Sequence, residues 1–168
     1  LQCTLQVVYL LELLDKALWD RNPFPSLFRD LLAVLESLDQ NGHKDLLIRF
    51  AELSILVNLG YRPVLNECVG CGRVENLEGI FDLAAGGLIC DICHDRFPSG
   101  FLLNRETLAL LRLLHGAPLQ AVQRVKASQA ALTQLESFLE KYLEYHLDSR
   151  LKVKHTIRSL KSVLSKLD

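Results

Sequence analysis

Four of the five cysteines fall into two pairs, Cys68-Val69-Gly70-Cys71 and Cys90-Asp91-Ile92-Cys93, with 18 residues between the pairs. The fifth, Cys3, stands alone. A gap of two residues lets both sulfurs of a turn face one ion at about 2.3 Å, and two such turns complete the four-thiolate tetrahedron that holds zinc. Gly72 directly after Cys71 favours the tight turn this needs. A shell closed by four thiolates leaves no position for water, so the ion has no route to Lewis-acid or hydrolytic chemistry. Its task is folding: structural zinc contributes on the order of 10–16 kcal/mol of apparent binding free energy in small peptides, whereas a segment of about thirty residues is marginal by itself.

Other chemistries of paired cysteines fit less well. Disulfides belong to secreted chains, and no charged-then-apolar leader opens this one. A thioredoxin-like pair needs a strand-to-helix junction in a βαβ unit, and neither pair lies at one. His94, next to Cys93, is a spare ligand that four cysteines make unnecessary. Four thiolates on a divalent ion leave two net negative charges, which Arg73 and Arg96 stand close enough in sequence to offset.

The elements that must position these sulfurs can be read from periodicity. Gly79 to Leu83 and Leu88 to Cys90 are strand-like runs on either side of Ala84-Ala85-Gly86-Gly87, a hairpin that returns the second pair to the first. Around this insert the periodicity is helical. A helix from Leu1 to about Trp19 is apolar around most of its surface, which predicts burial on more than one side. Asn22-Pro23-Phe24-Pro25 breaks it, and Ser26 is read as the cap of a second helix carrying Leu27, Leu31, Leu35 and Leu38, ended by Gln40-Asn41-Gly42. A third runs from about Lys44 to Leu59, with Gly60 as its left-handed stop and Pro63 beyond. Helices from a cap at Asn104 to His115, from about Ser128 to Leu147, and from about Lys154 onward follow. Cys3 and Trp19 read as packing residues in the first helical phase. The expected fold is mainly α: a helical bundle formed by residues 1–65 and 99–168, with a small four-cysteine zinc-binding β-hairpin segment inserted at residues 66–98.

The remaining composition narrows the function. Nineteen basic and twenty acidic residues nearly cancel, so any electrostatic partner must be met locally. The tail is the basic place: Lys152, Lys154, Arg158 and Lys161 make a stripe, with Arg150 just before it, that is either a solvated face or a seat for phosphates or an acidic peptide. Arg49 can meet a partner's carboxylate through a two-pronged hydrogen bond, or pair internally with Glu12 or Glu52. Five scattered histidines and no serine–histidine–acid arrangement argue against a nucleophilic enzyme. Charges interrupt the greasiest stretch, so the chain reads as soluble and intracellular. It contains no methionine and starts at Leu1, so an upstream part is expected to have been removed.

Particular residues also resemble a known family. Leu59-Gly60-Tyr61-Arg62-Pro63, then Cys68-x-x-Cys71-Gly72-Arg73, then Phe81-x-x-x-x-Gly86-Gly87-Leu88-x-Cys90-x-x-Cys93 are similar to the C-terminal part of RecO, the bacterial recombination mediator. Tyr9 to Leu14, Arg49-x-x-Glu52 and Leu151-Lys152-x-Lys154 extend the likeness over nearly the whole chain, with Val153-Lys154 where the family commonly has Ser-Arg. The resemblance implies a helical domain with an inserted zinc segment, normally preceded by an oligonucleotide-binding barrel. It implies a cytoplasmic, nucleoid-associated protein that binds single- and double-stranded DNA, anneals strands, pairs with RecR, binds the acidic C-terminal tail of single-strand binding protein and helps load RecA. The competing reading is an autonomous zinc-ribbon DNA-binding domain of the transcription-factor type, which would require tight DNA binding by this fragment alone.

Overall fold

Leu46 to Leu56 form an unbroken buried run in the helix Asp45–Asn58. Its charged residues inside that run are Arg49 and Glu52, three apart and of opposite sign, so the helix can be surrounded on all sides without stranding a net charge. The computed structural model describes residues 2–18, 23–41, 44–75, 77 and 79–147. In it Gln2–Ala17 is α1, Pro25–Asn41 α2, Asp45–Asn58 α3, Arg105–Gly116 α4, Leu119–Val122 α5 and Gln129–Leu147 α6, and the other five helices all pack on α3.

The first helix was expected to be buried on more than one side, and here the structure differs. α1 turns Tyr9, Leu10, Leu13 and Ala17 into the core but leaves Val8 and Leu11 46% and 55% exposed. Its Glu12 and Lys16 pair at 2.8 Å on a partly exposed face, and such charges keep one side in water. The central place goes to α3 instead.

Helix ends follow local chemistry. Asn104 caps α4 by accepting the Thr107 N–H at 2.7 Å. Ser128 opens α6, accepting the Ala131 N–H at 3.2 Å while its own hydroxyl and N–H both donate to the Glu106 carboxylate, so the first turns of α4 and α6 are tied together. These donors hold Glu106 below the usual carboxylate range. At the end of α3 the Tyr61 N–H reaches the Leu56 carbonyl at 2.8 Å and the Gly60 N–H reaches Val57 at 3.1 Å, with Gly60 at φ +90°. This is the paired stop that only a left-handed residue permits. α2 starts one residue earlier than its expected cap: Pro25 occupies the first helical position, where its missing N–H costs nothing. Ser26 therefore lies inside the first turn and donates instead to Asn58 Oδ1 at 2.6 Å.

The hairpin pairs Ile80–Asp82 (β1) with Gly87–Ile89 (β2), and a third strand, Phe101–Leu102 (β3), not foreseen from sequence, adds to the other edge of β1. Alternation divides the two faces. Phe81 and Leu88 point into the helical core, Phe81 meeting Phe138 edge-on at 4.8 Å and Tyr142 at 5.4 Å. Ile89 and Ile80 face the other way and pack with the cysteines in a small second cluster. The hairpin is thus one wall shared by two cores.

Two tyrosines report on this packing. The Tyr9 hydroxyl donates to Glu52 Oε1 at 2.5 Å, and burial first, then the Glu52 charge, pushes it well above its ordinary value. Burial alone pushes Tyr142 up to about 12. Because the folded values lie above the unfolded one near 10, the stability they confer is complete below pH 10 and is lost as pH rises from there toward 12. We expect alkaline unfolding in that window: in a Tyr61→Phe, Tyr145→Phe background, which removes the two exposed phenols, phenolate absorbance should rise together with loss of helicity, and phenolate appearing there on a fully helical protein would contradict it.

Candidate metal centre

The first cysteine pair is shaped by its own backbone. The Gly72 and Cys71 N–H groups return to the Cys68 carbonyl at 2.7 and 3.4 Å, and the Cys68 N–H reaches the Arg73 carbonyl at 2.7 Å. Gly72 stands at φ +74°, a conformation a side chain would strain. The turn is fastened to the protein by Val69 N–H to the Leu88 carbonyl at 2.9 Å and, just upstream, by Arg112 of α4, which donates twice to the Leu65 carbonyl. The second pair follows β2 directly: Cys93 N–H returns to the Cys90 carbonyl at 3.1 Å, and a single 3-10 turn, His94–Arg96, closes behind it.

The hairpin brings the pairs together. The four sulfurs of Cys68, Cys71, Cys90 and Cys93 all lie within 4.8 Å of one another. Cys71 and Cys90, from different pairs, are 3.6 Å apart, far beyond a disulfide at about 2.05 Å and close to the edge of about 3.8 Å that a tetrahedron of thiolates around zinc demands. Cys68, Cys90 and Cys93 are buried and Cys71 is exposed. The donor set therefore fits one soft tetrahedral ion, and a four-sulfur shell suits zinc above the harder cations.

Electrostatics support the same fit. Gly70 and Cys90 N–H groups point at the Cys68 sulfur at 3.4 and 3.3 Å, and Arg96 Nη2 donates to the Cys93 sulfur at 2.8 Å. Burial pushes the Cys68 thiol up, but the N–H donors of Cys90, Gly70 and Cys71 outweigh it and bring it down to about 6. The Arg73 N–H pulls Cys71 down, yet hydrogen bonding with the sulfurs of Cys90, Cys93 and Cys68 lifts it to about 11. Four thiols this close cannot all carry charge without a cation, and a metal ion held among them would supply it. Of the two arginines expected to offset charge, Arg96 does so with its guanidinium, whereas Arg73 contributes through its backbone N–H and carbonyl. His94 is exposed and stands outside the sulfur cluster.

The other expected binding residues fall elsewhere. Arg49 is only 6% exposed, and its Nη1 lies 2.9 Å from Glu52 Oε2, with Glu136 3.7 Å from Nη2. The internal pair prevails, with Glu52 and not Glu12, and the guanidinium is turned inward. Cys3 is half-buried in α1. Arg150, Lys152, Lys154, Arg158 and Lys161 lie outside the described residues, as does Trp19. Sequence reading missed a groove of about 880 Å³ between α2, α3 and the α4–α5 turn, with Arg29, Arg62 and His115 beside Phe50, Val57 and Leu119. Arg62 Nη1 is 3.2 Å from His115 Nε2, and burial, then that positive charge, holds His115 below its ordinary value. The Gly60-Tyr61-Arg62-Pro63 step was the available signal.

Residues 4–155 match the family described as recombination protein O C terminal. The chain is 42% identical to the DNA repair protein RecO of Syntrophomonas wolfei over 158 residues, 94% of this chain and 63% of that protein. To the DNA repair protein RecO of Bacillus pumilus it is 29% identical over 160 residues, 95% of this chain and 62% of the relative. A third, from an Exiguobacterium species, is 35% identical over 152 residues, 89% of this chain and 59% of its own length. The chain thus spans about three fifths of the length of these curated relatives. No helix among the described residues is long and apolar enough to cross a membrane.

Proposed function

Since the chain belongs to the RecO C-terminal family of DNA repair proteins, we propose that it is the scaffold and protein-docking part of a cytoplasmic recombination mediator, built around one structural zinc ion held by Cys68, Cys71, Cys90 and Cys93. The observation that carries the reading is the likeness to DNA repair proteins along nearly all of a chain whose four sulfurs converge. The zinc has no open position, so it fastens the hairpin and catalyses nothing. DNA annealing and RecA loading belong to the whole protein, with most DNA affinity supplied by the two fifths of the relatives that lie beyond this chain. RecR is a further partner of that assembly. An autonomous transcription-factor ribbon is disfavoured because the inner face of the hairpin is committed to α6 through Phe81.

The acidic, apolar tail of single-strand binding protein is proposed to dock in the α2–α3–α4 groove. Arg29 and Arg62 there meet carboxylates, while Phe50, Val57 and Leu119 receive apolar side chains. The basic C-terminal stripe, Arg150 to Lys161, is the alternative seat. A fluorescent peptide of aspartates ending in two apolar residues tests the choice: Arg62→Glu is expected to weaken binding at low salt by about tenfold or more, the effect of losing one charge-assisted contact. Undiminished affinity in Arg62→Glu with loss in Lys154→Glu moves the site to the stripe, and no binding to the parent protein ends the recruitment reading.

A further inference from the structure

The four cysteines are not equivalent, and their differences have a chemical consequence. Cys68 is buried beneath N–H donors that include those of Gly70 and Cys90, Cys93 is buried and bonded by the Arg96 guanidinium, and Cys90 is buried just past the end of β2. Cys71 also receives an N–H, from Arg73, but it alone of the four is exposed, on the turn after Gly70, and its sulfur stands 3.6 Å from that of Cys90. Metal thiolates keep nucleophilic sulfur, and hydrogen-bond donors and burial each reduce its attack on an oxidant. One exposed sulfur therefore meets solvent peroxide first, with a second already adjacent.

We infer that Cys71 is a peroxide-modification site and Cys90 its resolving partner, so that oxidation closes a Cys71–Cys90 disulfide and expels the ion. The Cys71 thiolate attacks one oxygen of hydrogen peroxide, the O–O bond breaks, and hydroxide leaves as the sulfenic acid forms. The Cys90 thiolate then attacks the Cys71 sulfur, the S–O bond breaks and a second hydroxide leaves. Two electrons pass from the two sulfurs to peroxide, and two protons from solvent turn the hydroxides into water. The sulfurs need close by only about 1.5 Å to reach bonding distance. Cys68 and Cys93 are then left as two ligands where four held the ion, too few to retain it. A reductant reverses the step and restores the site.

The inference rests on the zinc reading, and the test separates the two. Zinc content of the purified full chain is measured before oxidation; then peroxide is added, released zinc is followed with a chromophoric chelator, and disulfides are mapped by peptide mass spectrometry. The expected result is release of the bound zinc with a Cys71–Cys90 bridge, both reversed by dithiol. Cys71→His, which retains a metal ligand but no oxidisable sulfur, is expected to slow release about tenfold or more. A protein isolated without zinc overturns the metal reading, and the modification then stands or falls on the mapped bridge. Zinc retained through peroxide treatment, a bridge within either pair, or equal release from Cys71→His overturns the inference while leaving the zinc reading intact.

Discussion

Cys90→Ala is expected to purify without zinc and to lose protection across the sheet and both cysteine turns while the helices around α3 stay folded. Cys90 is fully buried and follows β2 directly, so losing its sulfur removes both a ligand and the ion that would fasten the strand end, while the backbone N–H that reaches the Cys68 sulfur remains. Structural zinc is worth on the order of 10–16 kcal/mol in small peptides, comparable to or more than the roughly 5–15 kcal/mol that holds a typical domain. Among the described residues the outer cluster has Ile89 as its one buried apolar residue besides the cysteines, with Val69, Leu77, Ile80 and Phe97 partly buried against it, too little apolar burial to replace the ion. Hydrogen exchange is the appropriate measurement: the amides of Val69, Leu88 and Cys90 should exchange at least about a thousandfold faster, because several kcal/mol of local stability is gone, and the amides of Ile48 to Leu56 should change little. Cys3→Ala, in a separate helix, should leave both zinc and exchange unchanged. A zinc-loaded Cys90→Ala protein would remove the four-sulfur site from consideration.

Arg49→Ala is expected to cost about 3–5 kcal/mol, the penalty for leaving one member of a buried ion pair behind. Glu52 is 0% exposed, its Oε1 accepting the Tyr9 hydroxyl and its Oε2 standing 2.9 Å from Arg49 Nη1. Glu52 and Tyr9 both raise the Arg49 guanidinium further despite its burial, as expected of a charge held by its neighbours. For a chain of this size the thermal midpoint should fall by about 10 °C at neutral pH. Pairing Arg49→Met with Glu52→Gln should return much of the loss, since neutral groups of similar volume carry no stranded charge. If Arg49→Ala melts within about 1 °C of the parent, Arg49 is not what keeps Glu52 in place to receive the Tyr9 hydroxyl from α1.

The relation between these two sites explains what was legible in advance. The cysteine pairs announced their chemistry through a local rule, two residues between ligands, and the intervening hairpin was readable because Gly86 and Gly87 punctuate two apolar runs. The stop at Gly60 and the cap at Asn104 were readable for the same reason, as each needs a particular residue within one turn. Strand β3 was not, because Phe101–Leu102 is too short to show alternation and becomes a strand only where the edge of β1 receives it. Nor was the two-sided role of the hairpin: Phe81 and Ile80 are both apolar, and only the position of α6 decides that Phe81 belongs to the helical core and Ile80 to the sulfur cluster.

The convergent cysteine pairs, helical class and family likeness were all written in the order of residues, because spacing, capping and motif are properties of neighbours along the chain. Packing in three dimensions chose which helix is central, turned Arg49 inward to Glu52, put Arg29 and Arg62 in a groove with α4, and left Cys71 alone of the four sulfurs to meet solvent. Those are outcomes of competition for a limited interior, and a residue's burial is set by what else packs against it as much as by its own side chain.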